Sequence, residues 1–332
     1  GYPRGLSPEK FPGRRKKEID LDRWVVDGHV RFAWVIGTTW LQAMAASQEL
    51  MEVFEKLTRG NPNQIKSFAP KSAIESLKKR VDSGGMVVVD QDIYPVDPIG
   101  TQFADLILPA ATWGEEDFTR CNGERRLRLY SKFYDSPGEA RPDWWIIAGF
   151  ARKMGFKGFD WKDSNEIFEE SARFGRGGVL NYHPLVVKAR QQGKRAHDLL
   201  REYGTEGIQT PIRMVGGALV GTKRLHDSTL RLGPPEGVTV HPKWLTSFDT
   251  HTGKAILLRR YWEDFQDFHE AVKPTGDELW VTHGRINEMW QSGFDDLRRP
   301  YIMQRWPHQF LEIHPDDARV RGIESGALVA VE

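Results

Sequence analysis

Over the first half of this chain, short apolar runs that stop abruptly in polar groups alternate with longer stretches whose apolar residues recur every three or four positions. Arg31 to Ile36 and Met86 to Val89 are runs of the first kind, rich in β-branched and aromatic residues, and they lead into Gly37-Thr38-Thr39-Trp40 and Asp90-Gln91-Asp92. Such runs predict strands. The spacing between them predicts amphipathic helices over about Leu41 to Leu57 and Lys71 to Val81. Strand, helix, helix, strand is the order of a parallel sheet with its crossover, so the predicted fold class is α/β. Ligands of open α/β sheets sit at the carboxyl ends of the strands, which makes the polar residues there candidates for binding.

Further along, the pattern predicts helices from Asp143 to Met154, with Asp143 or a neighbour as N-cap, from Ser164 to Phe174 and from Lys194 to Tyr203. Strands are predicted at Lys254 to Arg259 and Glu278 to Val281. From Leu279 onward strands alternate with turns and one short helix beginning at Pro315, and Gly326 to Glu332 reads as a strand, as at the start of a β-barrel. Residues 1–30, rich in Pro, Gly, Lys and Arg and without a period, read as a surface connector. The predicted division is therefore 1–30 connector, 31–155 α/β domain, 156–275 mixed and loop-rich, and 276–332 the first part of a barrel domain.

Composition narrows the function classes. The 332 residues carry a net charge of +1, with 47 Lys and Arg against 46 Asp and Glu, so no global field favours nucleic acid or a membrane surface. No apolar stretch approaches the roughly 20 residues that span a bilayer, and no charged-then-apolar leader opens the chain. An aromatic content of 11% fits a packed globular protein and excludes a disordered one. The single cysteine, Cys121, excludes an internal disulfide framework, and it excludes an iron–sulfur cluster ligated within this segment, which needs about four thiolates.

The densest candidate chemistry is Thr282-His283-Gly284-Arg285-Ile286-Asn287-Glu288-Met289-Trp290-Gln291-Ser292, directly after the strand predicted at Glu278. Gly284 lets backbone N–H groups approach a ligand, Arg285 offers a planar fork for phosphate or carboxylate, and Asn287, Glu288 and Gln291 can read a heterocycle edge. The competing reading is an ordinary turn, since Gly, Asn and Ser are also turn residues. Asp92 has a similar competitor, a turn cap before Tyr94-Pro95, and Asp143 has the helix cap. Glu124-Arg125-Arg126 reads as an exposed salt-bridge network, and His308 and His314, each beside a proline, as turn residues. No set of His, Cys or carboxylates has metal-site spacing, so no metal ligand is assigned.

Four strings stand in a definite order: the strand ending at Asp90-Gln91-Asp92, then Ala104-Asp105-Leu106-Ile107-Leu108-Pro109, then Asn122-Gly123-Glu124-Arg125-Arg126, then Pro137-Gly138-Glu139-Ala140 followed by Asp143. This order resembles the molybdopterin oxidoreductases of the dimethyl sulfoxide reductase superfamily. Gly158-Phe159-Asp160-Trp161-Lys162, Gly207-Ile208-Gln209-Thr210-Pro211, Leu219-Val220-Gly221-Thr222 and Phe248-Asp249-Thr250 resemble, within it, the large subunits of arsenite oxidase and of its relative iodate reductase.

The resemblance implies a Rossmann-like parallel-sheet domain followed by a double-psi β-barrel, together gripping molybdenum bis(molybdopterin guanine dinucleotide). It implies cofactor contacts at Thr38 and Thr39, at Gln91 and Asp92, at Asp143, and at His283, Gly284, Arg285, Asn287, Glu288, Trp290, Gln291 and Ser292. A carboxylate such as Asp92 or Asp143 can accept from guanine N1–H and the exocyclic amine together, while Arg285 would meet the diphosphate. The reaction implied is arsenite oxidation with oxygen-atom transfer; iodate reduction is the alternative, and periplasmic nitrate reduction a third option. Implied too are a small inorganic oxyanion as substrate, a Rieske-type small subunit, a cytochrome or similar electron carrier, and a periplasmic location. An iron–sulfur cluster is expected in the full-length subunit, outside this segment, and the chain is expected to be an internal-to-C-terminal piece. The sequence departs from the arsenite oxidase pattern at Gly37-Thr38-Thr39-Trp40, where the two threonines still donate and accept hydrogen bonds, and at Thr112-Trp113-Gly114-Glu115. A reading of another class is a non-catalytic nucleotide-binding or assembly module; a glycosidase is disfavoured because no carboxylate pair stands out.

Overall fold

The computed structural model describes residues 21–331 except 45–46, 60–68, 96, 122, 177–179, 223–251, 253, 255–265, 267–268, 291–292 and 294–295. After helix α1 (Leu21–Val26), strands β1 (Phe32–Ile36), β2 (Val87–Asp92) and β3 (Leu106–Pro109) form a parallel sheet in that order. Trp34 pairs with Val89 and Gln91 with Leu108, so the polar residues after each strand gather at one end of the sheet. The crossover from β1 to β2 carries α2 (Trp40–Ala43), α3 (Ser47–Thr58) and α4 (Pro70–Asp82). The single helix expected over Leu41 to Leu57 is thus two, because Met44 turns extended at ψ 144° and ends α2. The apolar spacing survives the break: Leu41 on α2 and Leu50 and Phe54 on α3 all enter the core under the sheet with Ala33, Val35, Met86 and Val88.

The acidic residue of the Ala-Asp-x-x-Leu-Pro string is part of this scaffold. Both Asp105 carboxylate oxygens accept from Arg80 Nη1 at 2.7 Å, Oδ2 also accepts from Val88 N at 3.0 Å, and the two side chains are 7% and 3% exposed. Asp105 therefore ties α4 to the edge of β2 and β3, far from water.

A second core lies beside the first. Strands β4 (Phe118–Arg120), β5 (Arg126–Tyr130) and β6 (Ile208–Gln209) form an antiparallel sheet, and helices α5 (Asp143–Lys153), α6 (Ser164–Ser171), α7 (His183–Gln191) and α8 (Ala196–Arg201) follow β5 along the chain. Leu127 of β5 packs with Phe168, Leu185, Val186, Leu199, Leu200, Ile208 and Ile212, so one hydrophobic core joins residues 127 and 212. A two-stranded hairpin of β7 (Arg213–Val215) and β8 (Ala218–Val220) completes this part. Glu124 pairs with Arg126 at 3.5 Å and Arg128 at 2.8 Å near the surface, as expected of an exposed network. Arg125 leaves it: the backbone turns through φ 58° and its Nε donates to Thr210 O at 3.3 Å. Cys121 is a free thiol, half-buried against this core, and burial pushes its pKa up.

Gly207 sits at φ +58°, and a Cβ there would lie 2.1 Å from Leu127 O. Both the left-handed backbone and the close approach of β5 require glycine. Gly207→Ala is expected to lose about 2 kcal/mol or more, read from the urea midpoint at unchanged slope.

The last part differs most from expectation. A short 3₁₀ turn (Asp296–Arg298), α9 (Pro300–Arg305) and α10 (Pro315–Val320) are its regular elements among the described residues. The strands expected at Glu278 to Val281 and from Gly326 are irregular instead, with Trp280 57% and Leu328 102% exposed. A strand exists only where a neighbour fills its N–H and C=O groups, and among the described residues none lies alongside. His314 is a turn residue, its ring accepting from Asp316 N at 3.3 Å at the start of α10. The strand expected from Lys254 lies, beyond Lys254 itself, outside the described residues. Among the described residues no helix is long and apolar enough to cross a membrane.

Candidate cofactor-binding site

The carboxyl ends of β1, β2 and β3 open into a cleft of about 630 Å³. Gly37, Thr38 and Thr39 come from the first strand end, Gln91, Asp92 and Ile93 from the second, Ala110 to Trp113 from the third, and Asp143 from the start of α5. The backbone closes the strand ends together, with Gly37 N donating to Gln91 O at 2.9 Å and Ala110 N to Asp92 O at 3.0 Å. The hairpin strand β4 adds Phe118, Thr119 and Arg120 to the wall, and Glu116 precedes it.

Gln91 is fully buried. Its Nε2 donates to Asp143 Oδ1 at 2.7 Å, which fixes the amide's orientation and leaves Oε1 buried without a partner. Asp143 is the first residue of α5, whose N-cap position is taken by Pro142 with no side-chain cap, so its carboxylate is committed to Gln91 rather than to its own helix. Asp92 caps its turn and stands on the cleft wall. One oxygen accepts from Ile93 N at 2.6 Å and Tyr94 N at 3.4 Å, as a turn cap, while the residue also lines the cleft. Burial pushes the Asp92 pKa up; the two backbone donors work against that, and Asp143 adds to it. Glu116 is likewise pushed up by burial, with Trp144 Nε1 donating to it at 2.8 Å. Arg120 is the one basic residue in the lining.

A buried amide oxygen without a partner and a carboxylate with a free oxygen, set on the same wall, match the two adjacent donors of a guanine edge. An unmet buried acceptor costs about 1–3 kcal/mol, so a ligand that donates to it is stabilised by relief of that cost. Arg120 faces the same space with a charge suited to a phosphate oxygen. The residues present therefore fit the guanosine end of a dinucleotide cofactor.

Of the sequence-predicted site residues, the structure brings together Thr38, Thr39, Gln91, Asp92 and Asp143. His283, Gly284, Arg285, Asn287, Glu288 and Trp290 are not in the lining; they lie on exposed, irregular chain, and Gln291 and Ser292 fall outside the described residues. Glu288 pairs with Arg305 at 3.3 Å, and Trp290 N donates to Asp296 Oδ2 at 2.6 Å. Further along, Arg298 lies 3.7 Å over the ring of Tyr94, two residues past Asp92. Sequence reasoning missed Arg120 and Glu116. The only signal for them was their place between two recognised strings, and their inward position depends on the β4–β5 hairpin.

Residues 30–153 match the family model described as molybdopterin oxidoreductase, and residues 279–332 match the molydopterin dinucleotide binding domain. Two iodate reductase subunits IdrA, from Denitromonas iodatirespirans and from Pseudomonas sp. (strain SCT), are 62% and 60% identical to the chain. Each alignment covers 98% of this chain and 37% of the relative. The chain belongs to the molybdopterin oxidoreductases. The arsenite oxidase subunit AioA of Herminiimonas arsenicoxydans is 29% identical over 95% of the chain and 38% of its own length. Within the dimethyl sulfoxide reductase superfamily the chain thus stands on the iodate reductase and arsenite oxidase branch, and iodate reductases fit it better than arsenite oxidases do. It spans little more than a third of the length of these relatives. The first match contains the five predicted residues that line the cleft, and the second contains the 283–292 segment.

Under the cleft, Asp90 is 2% exposed and Asp97 5%, each with one oxygen lacking a partner. Burial, then Asp97 and Asp92, push the Asp90 pKa from 3.8 up to about 7. A folded state that holds this proton more tightly than the unfolded chain loses stability as pH rises from about 4 to about 7, and the loss is complete above that window. Asp90→Asn removes the titration, so the variant is expected to gain on the wild type across the same window. The gain is on the order of 1.4 kcal/mol per pH unit at its steepest, measured by urea unfolding at pH 5, 6, 7 and 8.

Proposed function

We propose that this chain forms part of the catalytic subunit of a molybdenum bis(molybdopterin guanine dinucleotide) enzyme whose reaction is iodate reduction. The cleft observation carries the cofactor: the strand-end residues of the matched domain converge on one space and leave acceptors that a guanine would fill. The much higher identity to iodate reductase subunits than to an arsenite oxidase subunit favours iodate over arsenite as the substrate. Arsenite oxidation and nitrate reduction are the neighbouring alternatives.

When bound, the cofactor supplies two-electron redox chemistry with oxygen-atom transfer at molybdenum. The chain's own residues bind and orient it. Asp92 and Gln91 Oε1 would accept from the guanine edge, with Asp143 holding the Gln91 amide in that orientation, and Arg120 would neutralise a phosphate oxygen. Thr38 and Thr39 offer hydroxyls to the ribose or phosphate from the carboxyl end of the neighbouring strand β1. His283 to Ser292, within the matched dinucleotide-binding domain, would add contacts from the other side, and the proposed division is 1–30 connector, 31–155 α/β domain, 156–275 loop-rich remainder and 276–332 part of a double-psi β-barrel that chain beyond these residues would complete.

An iron–sulfur cluster held elsewhere in the full-length subunit, a Rieske-type small subunit and a cytochrome or similar carrier would supply electrons, and the enzyme would work in the periplasm. Turnover of the holoenzyme with iodate and a reduced dye, and with arsenite and an oxidised dye, tests the reaction. Rapid iodate turnover with little arsenite oxidation is expected; arsenite oxidation alone would transfer the protein to the sister activity.

A further inference from the structure

Two aromatic rings line the cleft, Trp113 after β3 and Phe118 on β4. Phe118 is half-buried and lies flat on Tyr130 of β5, with ring centroids 5.0 Å apart and planes 13° from parallel, so one of its faces is already taken. Trp113 is 66% exposed. It meets Phe133 at a centroid distance of 5.9 Å and an interplanar angle of 61°, a tilted contact that covers at most one face of the indole. Phe133 is itself 69% exposed and Tyr134 41%, and three exposed aromatic residues gathered beside a cleft mark a binding surface rather than scattered surface apolarity.

The backbone that carries the indole is braced. Gly114 turns the chain at φ +89°, and its carbonyl accepts from Phe133 N at 2.8 Å and from Tyr134 N at 3.2 Å. Tyr134 Oη donates to Trp113 O at 3.4 Å, and its ring packs 4.8 Å from that of Phe133. A Cβ on Gly114 would lie 2.4 Å from the Phe133 ring, so the two segments close on each other as tightly as glycine permits. Glu115, the next residue, folds back to accept from Thr112 N at 3.0 Å, which tightens the turn from its other side. An exposed indole thus stands on a fixed turn, on the same cleft as Gln91 and Asp92.

We propose that the Trp113 indole is the stacking platform for the guanine base whose edge Gln91 and Asp92 read. The inference rests on the guanosine reading of the cleft and adds to it a residue that binds the base by its face. Hydrogen bonds to one edge hold a base in its plane and leave both faces to be covered, and an aromatic ring covers a face of any base. Of the two rings in the lining, the indole is the larger and the less covered. The labour divides accordingly: the acceptors select guanine, while Trp113 supplies affinity that is indifferent to the base. Phe133 and Tyr134 are positioning residues, acting through the turn that carries Trp113.

Holoenzyme prepared from the full-length subunit as wild type, Trp113→Phe, Trp113→Leu and Trp113→Ala tests the assignment through the rate at which guanine nucleotide leaves the protein in dilute urea. Trp113 is exposed, so the three substitutions leave the fold intact. Trp113→Ala is expected to release nucleotide about tenfold faster than wild type, or to be isolated without it, and Trp113→Phe to stay within about threefold of wild type. Trp113→Leu is expected to follow Trp113→Ala, because an aliphatic side chain fills space without a π face. Wild-type release from Trp113→Ala would overturn the proposal. Trp113→Leu as retentive as Trp113→Phe, which would make the residue a space-filling cover, or Trp113→Phe as leaky as Trp113→Ala, would overturn it equally. Wild-type holoenzyme without guanine nucleotide would remove the guanosine reading itself, and the stack with it.

Discussion

Asp92→Asn is expected to empty the guanosine cleft while leaving the protein at least as stable as the wild type. The turn cap needs only one side-chain oxygen to accept from Ile93 N and Tyr94 N, and asparagine provides it. Guanine needs the second oxygen and the negative charge; the amide presents an N–H to a donor instead. Losing a charge-assisted pair of hydrogen bonds and gaining an opposed donor costs about 3 kcal/mol, more than a hundredfold in cofactor affinity. Because burial pushes the Asp92 pKa up, the folded state binds its proton more tightly than the unfolded chain, and a neutral side chain is favoured above the ordinary carboxylate range. Asp92→Ala removes the cap as well and should lose both cofactor and roughly 1 kcal/mol of stability. Guanine nucleotide per mole of holoenzyme, beside the urea midpoint, separates the two roles; a variant Asp92→Asn that retains full nucleotide would show that Asp92 only caps its turn.

Asp105→Ala is expected to be the most damaging single change in the sheet domain, about 3–5 kcal/mol at pH 7, because it strands Arg80 in the core. Arg80 is 3% exposed and donates to Met86 O at 3.2 Å besides its two bonds to the carboxylate. The Val88 amide loses its acceptor at the same time. Replacing both partners, Arg80→Met with Asp105→Leu, is expected to recover much of the loss, since paired removal leaves no uncompensated charge. Unfolding of the two single variants and the double variant in urea measures this; a single loss under 1 kcal/mol would contradict the account of the Ala-Asp-x-x-Leu-Pro string as a scaffold element.

The legible parts of the molecule were those whose signals are local. Val87, Val88 and Val89 followed by Asp90, Gln91 and Asp92 announce a strand and its binding end within six residues, and the same holds for β1 and Thr38-Thr39. Thr38, Thr39, Gln91 and Asp92 follow from that logic, because parallel strands deliver their carboxyl ends to one place, whereas Asp143, at the start of α5, followed only from the resemblance. Arg120 and Glu116 were hidden because their position depends on a hairpin whose second strand, β5, also pairs with Ile208 and Gln209, about 80 residues later. The break at Met44 was hidden for the opposite reason: apolar spacing continues across it, and only the backbone changes. At Glu278 to Val281 an apolar run suggested a strand, yet strand formation is decided by a partner, and none lies alongside it among the described residues. The strings that carry the resemblance also mixed two kinds of residue, since Asp105 is buried in the core while Asp92 and Asp143 line the cleft.

The most direct measurement is the molybdenum and guanine nucleotide content of the matured holoenzyme after acid release. Two guanine nucleotides per molybdenum, falling in Asp92→Asn, is the result predicted for a bis(molybdopterin guanine dinucleotide) enzyme that uses this cleft. A matured protein free of both metal and nucleotide would contradict it.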